Sequence, residues 1–153
     1  MKVLGVNGAS TKLYLAVVGD DGLEHVDPPL LEVVQGNEGG LALIALRLEC
    51  EHALARIAPD LVVILDPEAN AKLTWKTTMQ RVSAESVLVC AATAAGISVE
   101  RVTRPSVRSA CSFGRSGSLA AHAKEHYPDS VGPYWAGKRD LAALAAVSRH
   151  EGV

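Results

Sequence analysis

The order of apolar runs and turn residues predicts a mixed α/β fold. Its sheet has five strands, three in an antiparallel meander and two parallel, with helices on both faces. Three observations predict it. Two short apolar runs near the start are joined by a small-residue turn and followed by a Gly-Asp-Asp-Gly turn, as a meander requires. "LVVILD" (61–66) is a continuous apolar run of the kind a doubly covered parallel strand needs. Helical periodicity flanks that run on both sides, so right-handed helix-strand crossovers extend the sheet.

The first two strands are "KVLGVNG" (2–8) and "KLYLAVVGDDG" (12–22), around a Gly-Ala-Ser turn. The third run, "LEHVDPPLLEVVQ" (23–35), contains Pro28-Pro29, which would break a central strand. It is therefore expected at an edge, or interrupted. "GNEGG" (36–40) reads as a loop in which Asn37 or Gly39-Gly40 precedes a helix. In "LALIALRLECEHALARIA" (41–58), Leu43, Leu46, Leu54 and Ile57 fit one buried stripe, and Pro59-Asp60 stops the helix. "DPEANAK" (66–72) turns the chain into a long helix, 73–96, closed by Gly96. "ISVERVT" (97–103) is the last strand, and Arg104-Pro105 starts another turn. "SFGRSGS" (112–118) is a glycine-serine loop, "SLAAHAKEHY" (118–127) a short helix, and "WAGKRDLAALAAVSRH" (135–150) a final helix.

The 153 residues are expected to form one domain, 1–153, with 48% apolar and 21% charged residues, as in an ordinary soluble globule. No apolar run approaches the ~20 residues that span a bilayer. Met1-Lys2 leads straight into a strand without the features of a signal peptide, so a cytoplasmic location is expected. Cys50, Cys90 and Cys111 lack metal-ligand spacing and read as reduced thiols, with Cys90 a core residue. His122 and His126 lie four apart, a ligand spacing, but no third ligand accompanies them, and both are expected on solvated helix faces. Charge is uneven: residues 1–70 hold four Lys/Arg against eleven Asp/Glu, and residues 71–153 hold eleven against six. A basic second half suits a phosphate-bearing partner, although the net charge of −2 is not that of a dedicated nucleic-acid binder.

Four stretches carry a resemblance. "LGVNGASTKLYLAVV" (4–18) resembles the opening of the RuvC-like Holliday-junction resolvases, whose first strand ends in Gly-x-Asp before a small-residue turn. "PDLVVILDPEANAK" (59–72) is similar to their fourth strand and the carboxylate that ends it. "SAESVLVCAATAAGISVERVTRPSVRSAC" (83–111) follows their long helix, fifth strand and the helix entering a Gly-rich basic loop. "GKRDLAALAAVSRH" (137–150) resembles their last helix. The likeness spans nearly the whole chain and implies a fold of the RNase H-like type.

The resemblance also implies a site for two divalent metals, one activating water and one steadying the leaving oxygen. Carried over position by position, the first-strand aspartate falls on Asn7 and the fourth-strand carboxylate on Asp66, with Glu68 a near alternative. The two acids of the last helix fall on Gly137 and Asp140. An amide can coordinate a metal but brings no charge, so about half of the implied ligand set is missing. The expectation is no efficient two-metal nuclease, and at most a weak Mg²⁺ or Mn²⁺ site from Asp66, Asp140, Asn7 and Glu68. Each residue also has a purely structural reading. Asn7 would satisfy a turn, Asp66 would cap one before Pro67, and Asp140 would favour a helix N-terminus.

By the same resemblance, "FGRSGS" (113–118) lies beside nucleic acid, DNA or RNA. Arg104, Arg108, Arg115, Lys138 and Arg139 would be its contacts, since the planar guanidinium donates paired bonds to phosphate. An ordinary loop with solvated charges is the plainer reading. Trp75, Phe113, Tyr134 and Trp135 are the aromatic residues nearby. The resembled resolvases are dimers, which implies a homodimer through helix 71–95, and no membrane partner is expected.

Four functions stay open. The first is a nucleic-acid binding or scaffolding module with an eroded site. The second is an active metal-dependent endonuclease with a rearranged ligand set that includes Glu68. "VNGASTKLYLAVV" (6–18) also resembles the phosphate-binding hairpin of acetate-kinase-like proteins, but those pair two such domains around ATP. The fourth is a protein-binding domain without a ligand.

Overall fold

The opening apolar runs form a hairpin, β1 (Val3–Ala9) and β2 (Lys12–Gly19), in register from Val3 opposite Val18 to Ala9 opposite Lys12. This computed structural model describes residues 1–34, 39–69 and 71–150. The expected loop positions 36–38, Asn37 among them, and Asn70 of the 66–72 turn lie outside the described residues.

The third run is interrupted, as Pro28-Pro29 requires. It pairs with β2 twice, as β3 (Gly22–Glu24) opposite Val17–Gly19 and as β4 (Leu30–Glu32) opposite Lys12–Tyr14. Between them the Pro29 carbonyl accepts from the Leu15 amide at 2.9 Å, so the edge keeps one bond where proline cannot donate. Among the described residues the sheet therefore has six strands, the third of the expected five being split in two. α1 (Gly40–Ile57) leads into β5 (Leu61–Leu65), parallel to β1, and α2 (Trp75–Ala94) leads into β6 (Ser98–Val102), parallel to β5. The order is β3-β2-β1-β5-β6, with β4 also on β2. α3 (Arg104–Ala110), α4 (Leu119–His126) and α5 (Asp140–Val147) complete the described elements.

Alternation along the strands divides two cores. Leu4, Val6, Val62 and Ile64 pack on Leu46, Cys50 and Leu54 of α1 and Ala84 and Leu88 of α2. Val3, Val63, Leu65 and Val102 pack on the other face, against Val107, Leu119, Leu141 and Leu144. α5 lies close to β1 because Gly5 has no side chain: a Cβ there would collide with the Ala142 carbonyl. No helix among the described residues is long and apolar enough to cross a membrane.

Three sequence expectations are corrected. The final helix does not run from Trp135. Residues Trp135–Arg139 form a kinked turn in which Ala136 (ψ 122°) and Gly137 (φ 70°) leave helical geometry, and the regular helix begins at Asp140. Cys90 is exposed rather than core, because it lies on the outer side of α2, away from Ala84, Leu88 and Ala91. Of the α1 stripe, Leu46, Leu54 and Ile57 are buried while Leu43 is only half-buried.

Candidate functional site

The segments singled out by sequence meet at one end of the sheet. Asn7 on β1 is the register partner of Leu65, the last residue of β5, and Asp66 follows at once. The Asp66 amide donates to the Val102 carbonyl at 2.9 Å, which holds the β5 exit against β6. Asn7 shares the β1 face of Val3 and Gly5, which α5 covers. Its Nδ2 donates to the Lys138 carbonyl at 3.1 Å, and the residue is 5% exposed.

The neighbouring residues face the other way. A Cβ on Gly8 would stand 2.7 Å from Glu85 Oε1 of α2. Glu85 is buried and accepts from Arg81 Nε at 2.8 Å and from Arg101 Nη1 of β6 at 2.8 Å. Arg81, also buried, donates through Nη2 to the Leu65 carbonyl at 2.8 Å, so the strand end is tied to α2 by a guanidinium. Arg101 Nη1 lies 3.6 Å from Asp66 Oδ1, the outer member of the same network. The Asp66 carbonyl accepts from Arg104 Nε at 3.2 Å.

Asp140 is buried, and its carboxylate works locally. Oδ2 accepts from the Gly137 amide at 3.1 Å and Oδ1 from the Leu141 amide at 2.7 Å, which stitches the kinked turn to the start of α5. Glu68 is exposed on the far side of Asp66. It lines a cleft of about 580 Å³ with Arg104, Arg108, Phe113, Arg115 and Leu119. Arg108 organises the loop here, donating to the Arg115 and Gly117 carbonyls at 2.7 Å each. Burial lowers the Arg104 pKa; the Glu68 charge works in the opposite direction.

The two basic residues before α5 separate. Lys138 is exposed, its ammonium 5.6 Å from the centre of the Tyr14 ring. Arg139, expected beside nucleic acid, is buried instead. Its guanidinium donates to the Leu15, Val131 and Pro133 carbonyls at 2.7, 3.0 and 3.1 Å, which leaves it no reach to a phosphate outside. Of the two histidines expected on solvated faces, His126 is exposed and His122 half-buried; both rings touch Phe113, His122 stacked at 4.9 Å between ring centres and His126 edge-on at 5.8 Å.

No protein-family profile and no curated protein sequence matches the chain. In shape it is similar to Thermus thermophilus RuvC, solved in complex with a Holliday junction substrate: TM-score 0.73 and 16% identity, covering 97% of this chain and 91% of that one. A second Thermus thermophilus RuvC structure gives 0.72 and 18%, over 97% and 92%. The yeast mitochondrial Holliday junction resolvase Ydc2 gives 0.56 and 13%, over 95% and 74%. The fold is RuvC-like.

At the sheet end of this RuvC-like fold, the donor set does not suit a pair of divalent ions. Among the described residues no three His, Cys, Asp or Glu side chains are grouped to hold a metal. Position 7 offers an uncharged amide, Asp140 has both oxygens on backbone amides, and Asp66 faces Arg101. Hard cations need several anionic oxygens, whereas this strand end gathers the guanidiniums of Arg81, Arg101 and Arg104. Sequence reasoning passed over Arg81, Glu85 and Arg101. A signal for the first two existed, since they stand four apart on α2, a spacing that lets opposite charges meet. Nothing in the sequence placed that pair on the buried side.

Proposed function

We propose that this chain is a nucleic-acid binding or scaffolding module built on a RuvC-like fold, with an eroded metal-nuclease site. The observation that carries the reading is the bond from Asn7 to the Lys138 carbonyl. Where the resemblance implies a charged metal ligand, the chain has a neutral donor engaged in holding the sheet to α5. Gly137 supplies no side chain at a second implied position. Any Mg²⁺ or Mn²⁺ is held weakly, through Asp66 and Glu68. Arg104, Arg108, Arg115 and Lys138 form the basic face toward DNA or RNA, with Arg139 acting from inside to fix the turn that carries Lys138.

Anisotropy titrations with a four-way junction, duplex, single-stranded DNA and RNA test this reading, at several salt concentrations with and without Mg²⁺ or Mn²⁺. The expected result is binding that weakens steeply with salt, without cleavage. Metal-dependent cleavage abolished by Asp66→Asn would establish the second reading, an endonuclease using Glu68. Absence of binding to every nucleic acid would reject the module.

The chain is also proposed to self-associate through α2. Trp75 is 78% exposed, Met79 and Val82 are exposed along the same helix, and Val82 lines one groove with the exposed Ile44 of α1. An exposed apolar strip of this kind fits a second copy of the chain. Light scattering is expected to give a dimer, and Trp75→Glu with Val82→Glu a monomer.

A further inference from the structure

The cleft beside the sheet end has properties that binding along a strand does not require. Its walls come from three segments: the turn after β5 (Glu68), α3 (Arg104, Arg108) and the loop into α4 (Phe113, Arg115) with Leu119 at the helix start. At about 580 Å³ it has the volume of a small-molecule pocket, with one side open to solvent. Three guanidiniums line it against one carboxylate, an excess of two positive charges. Among the described residues none of the three arginines is within ion-pair distance of an acid, and their visible hydrogen bonds go to neutral carbonyls. Arg108 Nε is buried with no acceptor at all. Phe113 contributes an aromatic wall, fixed in place by the His122 ring stacked on it.

We propose that this cleft binds a terminal phosphate monoester of a nucleic-acid strand, with Arg104 and Arg115 as the anion contacts, Arg108 adding its charge while it holds the loop, and Phe113 beside the terminal base. A phosphate monoester carries a charge near −2 at neutral pH, which matches the excess, whereas an internal diester carries one negative charge. Forked guanidinium donors suit its three free oxygens, and an aromatic side chain suits a base of any identity. The assignment rests on the nucleic-acid reading above and narrows it from strands in general to strand ends, such as those at a nick or break.

The test uses the full chain and internally labelled oligonucleotides of one sequence, ending in a 5′-phosphate, a 3′-phosphate or only hydroxyls, at fixed salt. A nucleoside monophosphate serves as competitor. A phosphorylated end is expected to bind at least about tenfold tighter than hydroxyl ends, the gain that a single net charge-assisted bond already gives. The competitor should remove that advantage while leaving the hydroxyl-ended affinity in place. Arg115→Gln should shrink the advantage without moving the melting temperature, because its exposed side chain makes no hydrogen bond or ion pair among the described residues. Arg104→Gln is the second variant, and retention of the full advantage in both would overturn the assignment. Equal affinity for all ends would also overturn it and leave the nucleic-acid reading standing. Binding of the monophosphate with no oligonucleotide binding would make the ligand a free nucleotide and reject both. No binding of any probe would likewise reject both.

Discussion

The side chain of Asn7 donates to the backbone carbonyl of Lys138, 3.1 Å away and 131 residues further along the chain. The bond joins the first strand to the turn before the last helix, and only a donor can make it. In Asn7→Asp an ionised carboxylate would face that carbonyl with acceptors alone. At neutral pH the variant is expected to lose about 1–3 kcal/mol of unfolding free energy, the cost of an unmet buried acceptor pair. Burial would raise the new carboxyl pKa above its usual value. A raised folded-state value means the deficit is full at neutral pH and shrinks as pH falls through that value, where the protonated acid can donate. Urea denaturation at two pH values measures this. A Mg²⁺-dependent rise in stability of the variant alone would show that the added charge had created a metal site.

Glu85 holds two arginines, one buried and one half in solvent. Removing it strands the Arg81 charge under the sheet. Glu85→Ala is expected to cost about 3–5 kcal/mol, whereas Arg81→Met with Glu85→Leu should cost much less, since the pair then leaves together. A double-mutant cycle in denaturant reads the difference.

Much of this architecture was legible before the coordinates. The short turn at Ser10 dictated the hairpin and that at Asp20-Asp21 its continuation into β3, Pro28-Pro29 the broken edge, and the Val62–Leu65 run a strand covered on both faces. What escaped were properties that arise only when elements dock. Lys138 and Arg139 are adjacent in sequence, yet one is exposed and the other saturates three carbonyls, because the kink at Gly137 turns consecutive side chains apart. Periodicity in an alanine-rich segment cannot reveal such a kink. Likewise Cys90 and Leu88 share a helix and an apolar setting, and only the packing of α2 decides which faces the core. The site segments were legible by likeness to a family. Arg81 and Arg101 at the same strand end were not, since they come from separate elements, α2 and β6, that only docking brings together.

Close approach of α5 to β1 depends on Gly5. Its Cβ would meet a backbone carbonyl, Ala142, that belongs to a buried helix and cannot swing aside as a side chain would. Gly5→Ala is expected to destabilise by about 3 kcal/mol, at or above the upper end of ordinary overpacking. Thermal melting, with Gly114→Ala as a loop comparison where a Cβ meets nothing, checks it.

The thiols should differ in reactivity. Burial pushes Cys50 up to about 12, helped by Glu49 and Glu51, while Cys90 is exposed. Iodoacetamide at mildly alkaline pH is expected to modify Cys90 and leave Cys50 intact until the chain unfolds, as read by peptide mass. Tyr127 is also raised to about 12, first by burial and then by Cys111 and Asp140. Both groups stay protonated longer in the folded state. Their contribution is complete below the unfolded values of about 9 to 10 and is lost as pH rises toward 12. Urea midpoints should therefore fall steadily across that interval.

Supplying the two acids that the resemblance implies tests whether the proposed eroded site lacks only charge. Asn7→Asp with Gly137→Asp would supply both, yet the structure opposes the second. Gly137 has φ 70°, where a side chain costs about 1 kcal/mol, and its amide already serves Asp140. Positions 137 and 140 are also not one regular helical turn apart, because Ala136 and Gly137 interrupt the helix. The double variant is therefore expected to bind branched DNA without cutting it in Mg²⁺ or Mn²⁺, as a gel assay with end-labelled strands would record. Adding Arg101→Gln removes the guanidinium facing Asp66 and makes the test harder to pass. If the triple variant still fails to cut, the shape of the turn, and not only the count of carboxylates, limits the proposed site. Cleavage by the double variant would mean that the turn reshapes to helix once a metal binds it.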